Sequence, residues 1–153
     1  MKRLKRSVSI PFFFISILLF NLSGHTAPTQ SGAPDDLVII VNKTVNVDHI
    51  SVEEIKQIFL KKKGYWPDGE HIVCIHPPES SKARHRFRDV VLGMSQEAEK
   101  TYWRTQQIRN QVAPPANISN TPKAVFRLKN AVSYALRKDV PKGVAKIVLS
   151  LSE

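Results

Sequence analysis

The alternation of apolar and polar stretches divides this chain into short segments. Leu37 to Val41 (LVIIV) is a run of five apolar residues with polar residues on both sides. A short, continuous β-branched run of this kind is typical of a strand buried on both faces of a sheet. His71 to His76 (HIVCIH) predicts a second strand, in which Cys74 is a small core residue, and Val144 to Leu151 predicts a last strand.

An amphipathic helix is predicted over about residues 52–62. Its apolar positions recur at helical spacing, at Val52, Ile55, Ile58 and Phe59. Ser51 followed by Glu54 forms a capping box at its start, where each side chain can satisfy an orphan backbone donor. Lys61 to Lys63 complement the negative helix end, as a solvated terminus or as a partner-binding patch, and Gly64 can stop the helix.

Three further helices are predicted where a cap precedes an apolar stripe: one from Ser80 or Ser81 to Gly93, one from Ser95, and one from Thr121-Pro122 to about residue 138. Residues 109–121 contain Pro114-Pro115 and three asparagines, so they predict a loop. The resulting order is β-α-β-α-α-α-β. This order indicates an α/β layer architecture.

The first residues have the layout of a secretory signal peptide. A basic start, with Lys2, Arg3, Lys5 and Arg6, precedes an apolar run of 11 residues from Ile10 to Phe20. A spanning helix needs about 18–20 apolar residues, so this run favours a cleaved signal over residues 1–27, with an uncleaved anchor as the alternative. We expect a flexible leader over 28–36, a folded domain over 37–153, and a periplasmic or secreted protein that is not integral to the membrane.

The 153-residue chain is of ordinary composition for one globular domain, with 42% hydrophobic and 24% charged residues. Its net charge of +10 depends partly on the leader: without those four basic residues, 19 basic and 13 acidic residues leave +6. Because no dense basic stripe with interleaved aromatic residues is present, we expect no nucleic-acid partner.

Metal and catalytic sites are not indicated. The single cysteine excludes an internal disulfide framework and a cysteine-rich metal site. His71, His76 and His85 share no ligand-like spacing with a carboxylate or a thiol. Since no Ser/His/Asp order, carboxylate pair or phosphate-binding glycine loop stands out either, we expect neither an enzyme nor a bound cofactor.

Asn42 to Gly69 resembles part of the substrate-binding proteins of phosphate-type ABC transporters. The shared features are a strand ending in Val41-Asn42, a helix ending in Ile58-Phe59-Leu60-Lys61-Lys62, and the turn Trp66-Pro67-Asp68-Gly69. Pro77 to Phe87 is similar to that family's Gly-Ser loop, which opens a helix. Thr101 to Arg104 with Pro114-Pro115, and then Val140 to Ala145, resemble segments of the short, single-lobe relatives and the family's closing segment.

The resemblance implies an α/β fold of one periplasmic-binding-protein type II-like lobe, a mixed sheet flanked by helices. It also implies an anion site at the start of the helix after Pro77-Pro78, built from Ser80, Ser81, Lys82, Ala83 and Arg84. A helix N-terminus offers free N–H groups and a partial positive charge, which suit phosphate or sulfate. The alternative is that Ser80 or Ser81 is only a helix cap.

Several residues of the loop depart from the family pattern. Pro77 stands where the phosphate-binding members have an arginine, Ser80 and Lys82 where they have glycines, and Ala83 where they have a threonine. Two interpretations follow. The chain is an exported, solute-binding-like protein with weak affinity for phosphate or another small oxyanion, or it is a non-catalytic interaction scaffold that has lost ligand binding. Its protein partner would be an ABC transporter or another envelope protein.

Overall fold

The run LVIIV forms strand β1 (Leu37–Val41), which has a neighbouring strand on each side, and each of its five residues is fully buried. Its side chains alternate between two cores. Leu37, Ile39 and Val41 belong to a large cluster on one face of the sheet, and Val38 and Ile40 belong to a smaller cluster on the other. The prediction of a strand covered on both faces is therefore confirmed.

The computed structural model describes residues 32–152, which form a mixed five-stranded sheet flanked by helices. The strands after β1 are β2 (Val73–His76), β3 (Ala116–Asn117), β4 (Ala131–Leu136) and β5 (Lys146–Leu151). In the order β3-β2-β4-β1-β5, β2 runs parallel to β3 and β4, whereas β1 is antiparallel to β4 and β5. The predicted signal peptide lies outside the described residues.

The helices are α1 (Val52–Phe59), α2 (Lys82–Phe87), α3 (Gln96–Asn110) and α4 (Thr121–Arg127). A π-helical turn, Arg88–Leu92, continues α2, and a 3-10 turn, Arg137–Asp139, follows β4. Within residues 32–152, no helix is long and apolar enough to cross a membrane. The described end of the expected leader forms a turn, in which the Asp36 N–H donates to the Ala33 carbonyl at 3.0 Å.

Helix α1 begins at the predicted residue, but only the serine half of the predicted capping box is present, because the Glu54 side chain pairs with a lysine instead. The Ser51 hydroxyl accepts the Glu54 N–H at 3.1 Å, and the Glu54 carboxylate pairs with the Lys63 ammonium. The helix ends at Phe59, three residues before the predicted position, because Lys61 adopts a left-handed conformation with φ of 58°. The Lys62 N–H then donates to the Gln57 carbonyl and closes the last turn.

The predicted helix from 121 to about 138 is wrong. Helix α4 ends at Arg127, and after a turn at Asn130, where φ is 59°, the chain enters strand β4. All six residues of β4 are buried between β2 and β1. Two smaller corrections are that β3 lies inside the predicted loop 109–121 and that the last strand starts at Lys146 rather than at Val144.

Candidate functional site

The start of helix α2 lies against a cleft at the carboxyl ends of the parallel strands β2 and β4. We call it the α2–α4 cleft; its volume is about 360 Å³. In open α/β sheets this edge is the usual place for a ligand, since loops and helix starts converge there. The lining residues come from three segments: Pro77, Pro78, Ser81, Lys82 and Ala83 after β2; Ser119, Asn120, Thr121 and Pro122 at α4; and Tyr134, Ala135, Leu136 and Asp139 from β4 onward.

Both helices that begin at this cleft carry a side-chain cap. The Ser81 hydroxyl accepts the Arg84 N–H at 3.2 Å, and the Asn120 amide oxygen accepts the Lys123 N–H at 3.1 Å. The first two N–H groups of α2, those of Lys82 and Ala83, have no intrahelical acceptor, as at any helix start. Helix α4 offers fewer such donors, because its second residue is Pro122, which has no N–H.

The electrostatics of the α2–α4 cleft are mixed. Lys82 is exposed at its edge, and its positive charge contributes to lowering the pKa of Asp35, although the main cause is the hydrogen bond that Asp35 accepts from Lys138 at 2.7 Å. The carboxylate of Asp139 also lines the cleft and opposes an anion. The field of the two helix starts is therefore partly offset within the cleft itself.

The structure brings together three of the five predicted anion-site residues. Ser81, Lys82 and Ala83 line the α2–α4 cleft. Ser80 is exposed and is not part of that lining. Arg84 is 5% exposed, and its guanidinium extends into a buried network on the other side of α2.

That network joins α2 to helix α3. Arg84 donates to Glu99 at 2.6 Å and to Glu79 at 3.0 Å, and Arg88 donates to Glu99 at 2.8 Å and also pairs with Glu79. Glu79 directly precedes the predicted anion-site residues, and its partners in the structure are these two arginines. Two positive and two negative charges therefore balance each other; both arginines and Glu99 are buried, and Glu79 is partly exposed.

The network extends to the sheet through two aromatic side chains, Tyr134 of β4 and His76 of β2. Arg84 Nη1 donates to the Tyr134 hydroxyl at 2.9 Å, and that hydroxyl is 2.8 Å from Nδ1 of His76. Burial raises the pKa of Tyr134, so it stays a neutral phenol. Its ring stacks on Phe87 with centroids 3.8 Å apart.

Sequence reasoning missed the contribution of Asn120, Tyr134 and Asp139 to the α2–α4 cleft. The cap before α4 was detectable, and it lies one residue earlier than predicted, at Asn120 rather than at Thr121. Tyr134 lies in a segment for which the sequence predicts a helix, whereas the structure has strand β4 there. The alternation of small and large residues in AVSYAL after Asn130 was the available signal for a strand.

No protein-family profile and no curated protein matches the sequence. Solved structures do match in three dimensions. An ABC-type phosphate transport receptor from Vibrio cholerae aligns with a TM-score of 0.58 at 21% identity, covering 74% of this chain and 45% of that one. PstS from Borrelia burgdorferi aligns at 0.56 and 13% identity, covering 74% and 46%.

A Clostridium perfringens structure that carries bound phosphate aligns with a TM-score of 0.57 at 20% identity, covering 74% of this chain and 44% of that one. The chain therefore spans less than half the length of the solved proteins it matches. At this level of identity the comparison concerns the fold alone: the chain has an α/β fold that resembles a lobe of phosphate-binding proteins of ABC transporters.

Proposed function

We propose that this chain is an exported, solute-binding-like protein that holds a small oxyanion, phosphate first among them, in the α2–α4 cleft. The observation that carries the proposal is the convergence of two capped helix starts at the carboxyl edge of β2 and β4. The free N–H groups of Lys82 and Ala83, with the Lys82 ammonium, would supply the donors and the charge. The likeness of the fold to phosphate-binding proteins adds support.

The binding we propose is weak. Pro77 stands where the resemblance expects an arginine, and Arg84 is engaged with Glu79 and Glu99 rather than with the cleft. A charge-assisted contact to an anion is typically worth about 1.5–3 kcal/mol. Without such a contact, we expect a Kd on the order of millimolar.

The test is a titration of the ¹⁵N-labelled protein with sodium phosphate, with sodium chloride at equal ionic strength as the reference. We expect amide shifts that saturate at Ser81, Lys82 and Ala83. Lys82→Gln should weaken binding severalfold, whereas Lys62→Gln, at an exposed lysine beyond α1, should leave it unchanged. Saturating shifts that avoid residues 81–83 would refute the site.

Export belongs to the same proposal. A basic start and an apolar run of 11 residues predict removal of about residues 1–27 by signal peptidase, followed by folding in the periplasm or outside the cell. Intact-mass analysis of the exported protein tests this directly. A mass that includes Met1 to Phe20 would contradict it.

The second candidate is a non-catalytic scaffold that keeps the lobe and binds an envelope protein or an ABC transporter instead of a solute. Asp139 in the cleft and the inward-facing Arg84 favour it, since both reduce the attraction of the cleft for an anion. In this case phosphate would produce no saturable shift in the wild type. Pull-down of envelope proteins on the immobilised chain would then be the informative measurement.

A further inference from the structure

A second cleft lies on the other side of the buried network, beside helix α3. We call it the α3 cleft. Its volume is about 360 Å³, and it is lined among others by His76, Glu99, Trp103, Arg104, Pro115 and Asn117. This volume is near the lower end for pockets that bind small organic molecules. No step of the proposed phosphate binding uses it.

The first notable group of this cleft is the imidazole of His76, which is 1% exposed. Its Nδ1 atom is 2.5 Å from Nη1 of Arg84, and a guanidinium can only donate. Nδ1 is therefore the acceptor, and the proton of the neutral ring is on Nε2. Burial, reinforced by the charge of Arg84, lowers the pKa of His76 to about 2, which keeps the ring neutral.

The Nε2–H group of His76 and the indole N–H of Trp103 share one property. Both nitrogens are buried, and neither has a hydrogen-bond partner within residues 32–152. An unpaired buried donor costs about 1–3 kcal/mol, so two of them at one cleft need an explanation. Both groups donate only, so a partner must bring acceptors.

The charge around the α3 cleft favours an anionic partner. Glu79 and Glu99 also line it, but both carboxylates are held by Arg84 and Arg88. Lys100 and Arg104 then add two positive charges from the exposed side of α3. The wall beside them is apolar, made by the Trp103 ring and Pro114-Pro115.

We propose that the α3 cleft binds a small organic carboxylate. Its oxygens would accept hydrogen bonds from His76 Nε2–H and Trp103 Nε1–H, while Lys100 and Arg104 supply the attraction at the rim. Its apolar part would pack on Pro114 and Pro115. An inorganic oxyanion fits less well, because it would leave this apolar wall uncovered.

Benzoate is the probe we would use, because it combines a carboxylate with a flat apolar body. The chain has two tryptophans, and they form a matched pair of reporters. The Trp66 indole already donates to the Asn130 carbonyl at 3.0 Å, whereas the Trp103 indole has no such acceptor among the described residues. Titration of the ¹⁵N-labelled protein should move the Trp103 indole signal downfield to saturation and leave the Trp66 signal in place. Benzylammonium, with the opposite charge, should move neither.

Two variants complete the test. Trp103→Phe keeps an aromatic ring at this position and removes the donor, so it should weaken benzoate binding about tenfold or more. Arg104→Gln, at an exposed position, should weaken it severalfold and does not depend on the core remaining intact. The proposal would be overturned if the Trp103 indole N–H contacts water and its NMR signal does not move at the highest soluble benzoate concentration. Equal movement of both indoles would overturn it too. Phosphate-induced shifts at residues 81–83 report binding in the α2–α4 cleft. Either proposal can therefore be refuted without affecting the other.

Discussion

Arg84 of α2 and Glu99 of α3 form a buried ion pair, in which Nη2 of the arginine donates to the carboxylate at 2.6 Å. Their side chains are 6% and 5% exposed. The other oxygen of Glu99 accepts from Nε of Arg88 at 2.8 Å, so one carboxylate holds two arginines. These residues are 15 positions apart in the sequence, and their pairing fixes α3 against α2.

Removing Glu99 should therefore be costly. Glu99→Ala leaves two buried guanidinium groups with Glu79 as their remaining carboxylate, and breaking a buried pair in this way typically costs about 3–5 kcal/mol of unfolding free energy. Glu97→Ala, at an exposed position two residues earlier, is the control and should change it by less than about 0.5 kcal/mol. Urea unfolding measures both. Equal midpoints for the two variants would contradict the structural importance of the network.

His76 should make the protein less stable in mild acid. Its pKa is about 2 in the folded protein and about 6.5 in the unfolded chain, so between these values only the unfolded chain binds the proton. The contribution of His76 to the unfolding free energy is fully present above about pH 6.5. It is lost as the pH falls below this value, by about 1.4 kcal/mol per pH unit.

The His76→Gln variant lacks this titration. We expect the difference in unfolding free energy between wild type and variant to shrink by about 2 kcal/mol from about pH 7 to about pH 5. Urea unfolding at the two pH values gives this difference directly. A difference that does not change with pH would mean that the pKa of His76 is the same in the folded and the unfolded protein.

Local sequence signals were enough to predict β1, the start of α1, and the end at Gly93 of the helical segment that begins with α2. Each depends on contacts within a few residues: a β-branched run, a serine hydroxyl on the amide three positions later, and a glycine that takes a φ of 64°. The same kind of signal placed Ser81, Lys82 and Ala83 at a helix start, and the structure confirms that position.

Long-range pairing is what the sequence could not reveal. Val125, Leu128, Val132 and Leu136 fit one helical face equally well, and the pairing of β4 with β1 and β2 decides against it. Arg84 follows the cleft residues directly, yet its direction depends on Glu99, which lies on another helix. The position of Arg84 next to a helix start therefore does not predict that its partner is Glu99.

Cys74 should be chemically inert while the protein is folded. Burial raises the pKa of its thiol to about 11, and its Sγ atom lies 3.5 Å from the Ile58 carbonyl. At about pH 8 very little thiolate is present, and reagents cannot reach it. We expect slow labelling by iodoacetamide in buffer. Fast labelling of the same thiol in strong denaturant is the control, because it shows that the reagent is active. Fast labelling in buffer would show that β2 opens readily.

The cap of α1 gives a smaller stability prediction. The Ser51 hydroxyl accepts the Glu54 N–H at 3.1 Å, so Ser51→Ala should lower the unfolding free energy by about 0.5–2 kcal/mol. Ser152→Ala, at an exposed position after β5, is the control and should have almost no effect. Coincident unfolding curves for Ser51→Ala and wild type would mean that water replaces the cap.

Asp139 provides the most direct test of charge in the α2–α4 cleft. Its carboxylate lines the cleft that we propose for phosphate, and a like charge at a solvated site opposes an anion by about 0.5–1 kcal/mol. Asp139→Asn keeps the shape and removes the charge, so phosphate binding should tighten about two- to fivefold. The gain should decrease as sodium chloride is added, because salt screens exposed charges.

Asp89→Asn is the control for this prediction. It removes an exposed carboxylate that does not line the α2–α4 cleft and should leave the phosphate affinity nearly unchanged. Equal effects of the two substitutions would mean that phosphate responds to the net charge of the protein rather than to this cleft.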